Sequence, residues 1–204
     1  MNRRHLLLTT PLATAGLAFP GLLRAAQDGK FGKHSADEWT ELNRKADAEV
    51  KAIKPDSADL SAADQQLVID MAAGGMLQLE LSRIALVKAA SEDVKDYARS
   101  EVAEQTALAE KLKEIAGAKG LAIPETPDEK TQKALDAFTK TSAADFDEAY
   151  LKKVGIEGHE SLALTMGKVQ TEAGDTALKQ LAMVALPLIA VHLQAARDES
   201  EDKG

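Results

Sequence analysis

From Trp39 onward apolar residues return every three or four positions, and no stretch alternates strictly between apolar and polar. That period is helical, so the pattern predicts an all-α chain with no strand. Ser35-Ala36-Asp37-Glu38 has the form of a capping box, in which a hydroxyl and a carboxylate satisfy open amides at a helix start. Trp39, Leu42, Ala46, Val50 and Ile53 follow on one stripe, and Pro55 stops the run. This short amphipathic helix over 35–54 either docks on the rest of the protein or offers its stripe to a partner in the cell envelope. Upstream, Lys30 to Lys33 is polar and interrupted by Gly32, which reads as a flexible start holding a merely hydrated His34.

Four longer helical patterns come next. The first opens at Ser61 and runs through Leu67, Met71, Leu77 and Leu81 to about Ala90. The second is capped by Ser91 and carries Val94, Tyr97, Val102, Leu108, Leu112 and Ile115 before Gly117 and Gly120. The tight turn between them makes these two antiparallel neighbours. The third, capped near Ser142, carries Phe146, Tyr150, Val154, Leu162, Met166 and Val169 and ends at Gly174. The fourth starts at Asp175, carries Leu178, Leu181, Ala185, Leu188 and His192 around an internal Pro187, and frays after Arg197. Between the second and third lies a connector, Leu121 to Thr141, long enough to span a bundle. Two hairpins joined by one long crossover is the ferritin-like connectivity. The expected division is a leader over 1–26, a flexible start and short helix over 27–60, a ferritin-like four-helix bundle over 61–198 and an acidic, disordered tail over 199–204.

Composition narrows the chemistry. Hydrophobic residues make up 45% of the 204 but aromatics only 3%, so the core is built from Ala, Leu, Val, Ile and Met, a helix-forming set. Cysteine is absent, which excludes disulfides, thiolate metal sites and a cysteine nucleophile. The net charge of -8 becomes -11 once Arg3, Arg4 and Arg24 leave with the leader, a surface that repels phosphate backbones and excludes nucleic-acid binding. Arg3-Arg4, a short apolar centre and Ala25-Ala26 describe a secretory signal, and the paired arginines resemble a twin-arginine signal. Pro11, Gly16 and Pro20 break the apolar run, so no membrane span remains after cleavage. The mature protein is expected in the periplasm; its oligomeric state is not legible from the chain.

Polar side chains interrupt the apolar stripes of all four helices. Glu80 falls between Leu77 and Ile84, Gln105 between Val102 and Leu108 with Glu101 one turn earlier, His159 one turn from Leu162, and His192 four beyond Leu188. Counting from the turns at about 1.5 Å per residue places them within a slab of roughly 9 Å. Two readings stay open. One is a metal site for iron, manganese or zinc with Glu80, Glu101, Glu104, His159 and His192 as ligands. The other is a core polar network of Glu80, Gln105, His159 and His192 that satisfies itself across the bundle. Neither histidine has the Glu-x-x-His spacing of di-iron bundles, since Ile156 and Ile189 stand three residues earlier. Gly74-Gly75 follows no strand and reads as a site of close helix packing rather than a phosphate loop.

The segments Ala63-Asp64-Gln65-Gln66-Leu67-Val68, Ala72-Ala73-Gly74-Gly75-Met76 and Leu79-Glu80-Leu81 are similar to the opening of domain-of-unknown-function family 4142. Phe146-Asp147-Glu148-Ala149-Tyr150, His159-Glu160, Leu186-Pro187-Leu188 and His192-Leu193 extend the resemblance over about 61–197. It implies a ferritin-like bundle exported by bacteria, some members being labelled outer-membrane proteins, with a metal-binding or envelope-stress role. Where that family often shows Asp-His on the second and third helices, this chain has Glu104-Gln105 and Gly158-His159. The functional expectation is a non-enzymatic periplasmic protein of this kind; the rival is a di-metal oxidoreductase of iron or manganese, resembling ferritins and their relatives.

Overall fold

The computed structural model describes residues 30–201, so the leader over 1–26 lies outside the described residues. The chain is mainly helical. Two short strands, β1 (Lys30–Phe31) and β2 (His34–Ser35), pair antiparallel and lead into α1 (Ala36–Ala52). Then come α2 (Ala62–Lys88), α3 (Glu92–Ala118), α4 (Glu129–Thr139) and α5 (Phe146–Tyr150). A π-helical segment, Leu151–Gly158, continues into α6 (His159–Glu172), and α7 (Thr176–Glu201) closes the chain.

The β-hairpin corrects the expectation of a flexible, strandless start. Gly32 makes the turn with φ at +59°, and a Cβ there would meet Ala195 Cα at 2.8 Å. The turn amide donates to Glu199 Oε2 at 3.3 Å and Lys33 pairs with Asp198 at 3.1 Å, which seats the hairpin on the end of α7. Phe31 is buried and stacks on Tyr97, while the His34 ring lies 4.8 Å from Trp39. The same contacts explain why α7 stays helical to Glu201 instead of fraying after Arg197.

Helix starts follow local chemistry. The expected capping box of α1 is present, Ser35 N donating to Glu38 Oε2 at 2.7 Å and Glu38 N to Ser35 Oγ at 3.3 Å. Ser61 caps α2 with its hydroxyl alone, accepting from Asp64 N at 3.0 Å. Ser91 occupies the cap position of α3 without a side-chain bond; Asp147 takes the turn instead, accepting from Ala90 N and Ser91 N at 3.0 and 2.9 Å.

Contacts along the helices set their directions. Only a short turn joins Lys88 to Glu92, and Gly75 faces Gln105 at about the same distance from it on either side, so α2 and α3 run antiparallel. Gln78 meets Val154, Gly74 meets Leu162 and Asp64 accepts from Gly174, so α2 and α6 are antiparallel as well. α6 therefore runs parallel to α3, and the connector carrying α4 travels the length between them. α7 packs on α6 and α3, and α1 lies across α3 and α7 with Trp39, Val50 and Ile53 buried. The α1 stripe is thus taken up by the protein's own core.

Two apolar clusters fill the interior. One gathers Leu67, Met71, Leu108, Leu112, Met166, Leu178 and Leu181; the other gathers Leu81, Ala85, Val94, Tyr97, Tyr150, Val154 and Ala196. On α3, α6 and α7 the residues between these clusters are Glu101, Glu104, His159 and His192, which form a polar layer inside the core.

Candidate metal centre

Each side chain of that layer is aimed by its helix. Tyr97, Glu101, Glu104 and Leu108 recur at four, three and four residues and share the buried face of α3. His159 begins α6 directly after the π segment. Two glycines let that wider turn fit: a Cβ on Gly155 would come 2.6 Å from Ala196 Cβ, and one on Gly158 would come 2.3 Å from Gln78 Oε1. Short π segments within helices often accompany functional positions. His192 lies one turn past Leu188 on the buried side of α7.

The four groups converge. His159 Nε2 lies 2.9 Å from Glu101 Oε1, and His192 Nδ1 lies 3.0 Å from the same oxygen and 2.7 Å from Glu104 Oε2. Both outer ring nitrogens are held. His159 Nδ1 lies 2.8 Å from the Val154 carbonyl, which also accepts from Gln78 Nε2 at 3.2 Å. His192 Nε2 lies 3.0 Å from Ser100 Oγ, itself held by Asn43 Nδ2 at 2.9 Å. Trp39 stacks on the His192 ring at 4.6 Å, and Tyr97 OH donates to the His192 carbonyl at 3.2 Å. A backbone carbonyl behind one imidazole and a hydroxyl behind the other is the outer support by which metal-binding histidines are commonly oriented.

Burial and charge oppose each other at this site. Glu101, His159 and His192 are wholly buried and Glu104 nearly so. Burial would raise the Glu101 pKa, but the two facing imidazoles overcome it and hold the carboxyl well below its usual range. Burial would likewise lower the His192 pKa; Glu101 and Glu104 outweigh it and push the ring up to about 10. His159 is raised in the same way, chiefly by Glu101 against the burial penalty. Without metal, the layer holds protons that a cation could replace.

Hydrogen bonding leaves the layer unfinished. Although the His192 Nδ1 contacts are short, neither is aligned as a hydrogen bond. That nitrogen, Glu101 Oε2 and both oxygens of Glu104 have no hydrogen-bond partner among the described residues. Buried acceptors in that state are costly, about 1–3 kcal/mol or more each. Glu101, His159 and His192 each offer a ligand atom, all within 4.8 Å of one another, so the group can hold a metal ion.

The sequence model named Domain of unknown function (DUF4142) matches residues 33–198. The chain belongs to this family. No match to it was found among curated proteins or among solved structures.

In this DUF4142 protein the residues expected at the site divide. Glu101, Glu104, His159 and His192 come together, whereas Glu80 does not. Glu80 points outward and pairs with Arg83 at 2.6 Å, being one third exposed. The α2 residue that reaches the layer's edge is Gln78, through Val154 and Gly158. Its signal was the seven-residue step from Met71 and the three to Leu81, both fully in the core. Gln105 is buried but turned to α2, where its Oε1 would lie 3.2 Å from a Cβ on Gly75; no bond joins it to the histidines. Sequence reasoning also missed Trp39, Asn43, Tyr97 and Ser100 as supports of His192. Only their apolar or polar type, not their meeting across helices, was visible.

Proposed function

We propose that this protein is an exported, ferritin-like four-helix bundle that binds one divalent transition-metal ion, iron, manganese or zinc, between Glu101, Glu104, His159 and His192. The carrying observation is the set of buried ligand atoms on Glu101, Glu104 and His192 that make no aligned hydrogen bond, even where His192 Nδ1 is ion-paired with both carboxylates. Two nitrogens and carboxylate oxygens, with no thiolate, suit these borderline and hard ions. Edges of 2.7–3.0 Å between facing donor atoms are close to the roughly 3.0 Å between adjacent ligands of an octahedral ion at bonds of about 2.1 Å, and shorter than the roughly 3.4 Å of a tetrahedral one. A dication that displaces two imidazolium protons leaves the layer's net charge unchanged, so binding needs no new counter-charge.

One ion is favoured over two. Di-metal bundles draw on four carboxylates, whereas Glu101 and Glu104 supply two here and Glu80 is committed to Arg83. Complete burial of the ligands leaves an ion no open face for substrate, which supports a binding or storage role over catalysis. The ferritin-like assignment is supported by the parallel run of α3 and α6 and the long connector between them. Export rests on the leader read from residues 1–26, and it would place the protein in the periplasm.

A metal-free ion network is the second reading, and the two bonds on His159 favour it, since that ring is fully satisfied. Metal content decides between the two. Tag-free mature protein should carry about one equivalent of iron, manganese or zinc by elemental analysis, and Glu104→Gln with His192→Ala should abolish it. Wild type that stays metal-free after exposure to each ion in turn would overturn the proposal and leave the network.

A further inference from the structure

Two features of the sequence have no part in the metal centre: the Gly74-Gly75 pair and Gln105. Gly75 of the pair meets Gln105 at a cavity of about 240 Å³ between α2 and α3, while Gly74 faces Leu162. Met71, Leu79, Leu108, Leu112 and Met166 supply apolar wall, and the crossover segment with Ile123 and Pro124 borders it. Gln105 lines the same space at 3% exposure, and its Nε2 has no hydrogen-bond partner among the described residues. Its Oε1 lies against Gly75, where a Cβ would approach to 3.2 Å. Glycine at that position therefore gives the amide room beside α2 and keeps the cavity open. Charges on the lining are already matched, Arg83 with Glu80 and Lys113 with Glu125.

An apolar chamber with one unsatisfied donor selects its occupant by chemistry. Hydrocarbon alone would leave Gln105 Nε2 unpaired, and an ionised headgroup would lose its hydration without a free countercharge. We propose that this cavity binds a small neutral, largely apolar carbonyl compound whose oxygen accepts from Gln105 Nε2. The volume suits on the order of ten non-hydrogen atoms, at the small end of ligand sites. The site stands on α2, α3 and the crossover and does not rest on the metal reading.

The test uses mature protein labelled with ¹³C at the methionine methyls, titrated with 2-octanone in the presence of chelator. Met71, Met76 and Met166 line the cavity, whereas Met183 is exposed on α7. The first three signals should shift together and saturate while Met183 stays in place. Butylbenzene, of similar size and without an acceptor, should bind wild type about tenfold more weakly, and Gln105→Leu should weaken 2-octanone by about the same factor. Ala72→Phe, which projects a ring into the space, should abolish both. Absence of a saturable shift in the three methyls, as for a cavity holding only water, overturns the proposal. Equal affinity of wild type for the two probes does so too, and that comparison stands even if a variant fails to fold.

Discussion

Raising the pH of the metal-free protein should destabilise it well before lysines titrate, and His192 is the reason. Its ring sits fully buried beside Glu101 and Glu104, with a folded pKa of about 10 against an ordinary 6.5. A group whose folded pKa is raised stabilises the fold fully below its unfolded pKa, and that contribution fades as pH climbs to the folded one. The window is therefore about pH 6.5 to 10. The difference of about three and a half units corresponds to roughly 5 kcal/mol at 1.36 kcal/mol per unit, an upper bound for the pair. The depressed pKa of Glu101 reports the same attraction and adds nothing to it. Urea denaturation of chelator-treated protein at intervals from pH 6 to 10 measures the loss as a falling midpoint at constant slope. His192→Ala should be less stable at pH 6 and fall less steeply than wild type across the window, its remaining slope coming from the raised pKa of His159 beside Glu101. A flat wild-type profile, or a mutant that falls as steeply as wild type, would refute the buried ion pair. Added metal should reverse the trend, because its affinity rises as the competing protons leave.

Two further predictions concern the π segment and the leader. Gly158→Ala sets a methyl within 2.3 Å of Gln78 and should cost about 1–3 kcal/mol of stability; Gln78→Ala should restore part of it, and additive losses in the double mutant would show that the two do not touch. N-terminal sequencing of the mature protein from cell-envelope fractions should begin close to Ala25–Asp28, and recovery of an intact Met1 would end the export reading.

What the sequence determined by itself was local. Caps such as Ser35 and Ser61, the stops at Pro55 and Gly120, and the apolar spacing that marks α2, α3, α6 and α7 depend on neighbours within a few residues. Height along a helix was also legible, because rise per residue is nearly constant. Counting from the turns was enough to set Glu101, Glu104, His159 and His192 at one level. Rotation about the helix axis was not. Each residue turns the side chain by about 100°, so reading α2 from its half-buried positions Leu77 and Ile84 chose Glu80, while packing against α6 turned Gln78 inward. On α3 the same ambiguity separates Glu104, which faces the histidines, from Gln105, which faces Gly75 and the cavity. Lys30 to Ser35 carries too few residues to announce a hairpin, and distant partners hold it in place: the shelf at Ala195 to Glu199, more than 160 positions away, and Tyr97 beneath Phe31. The π segment needed Gly155 and Gly158 locally but Ala196 and Gln78 across the core to make it the packed solution. Spacing along one helix is a property of the chain; which side of that helix meets which neighbour is decided when the helices come together.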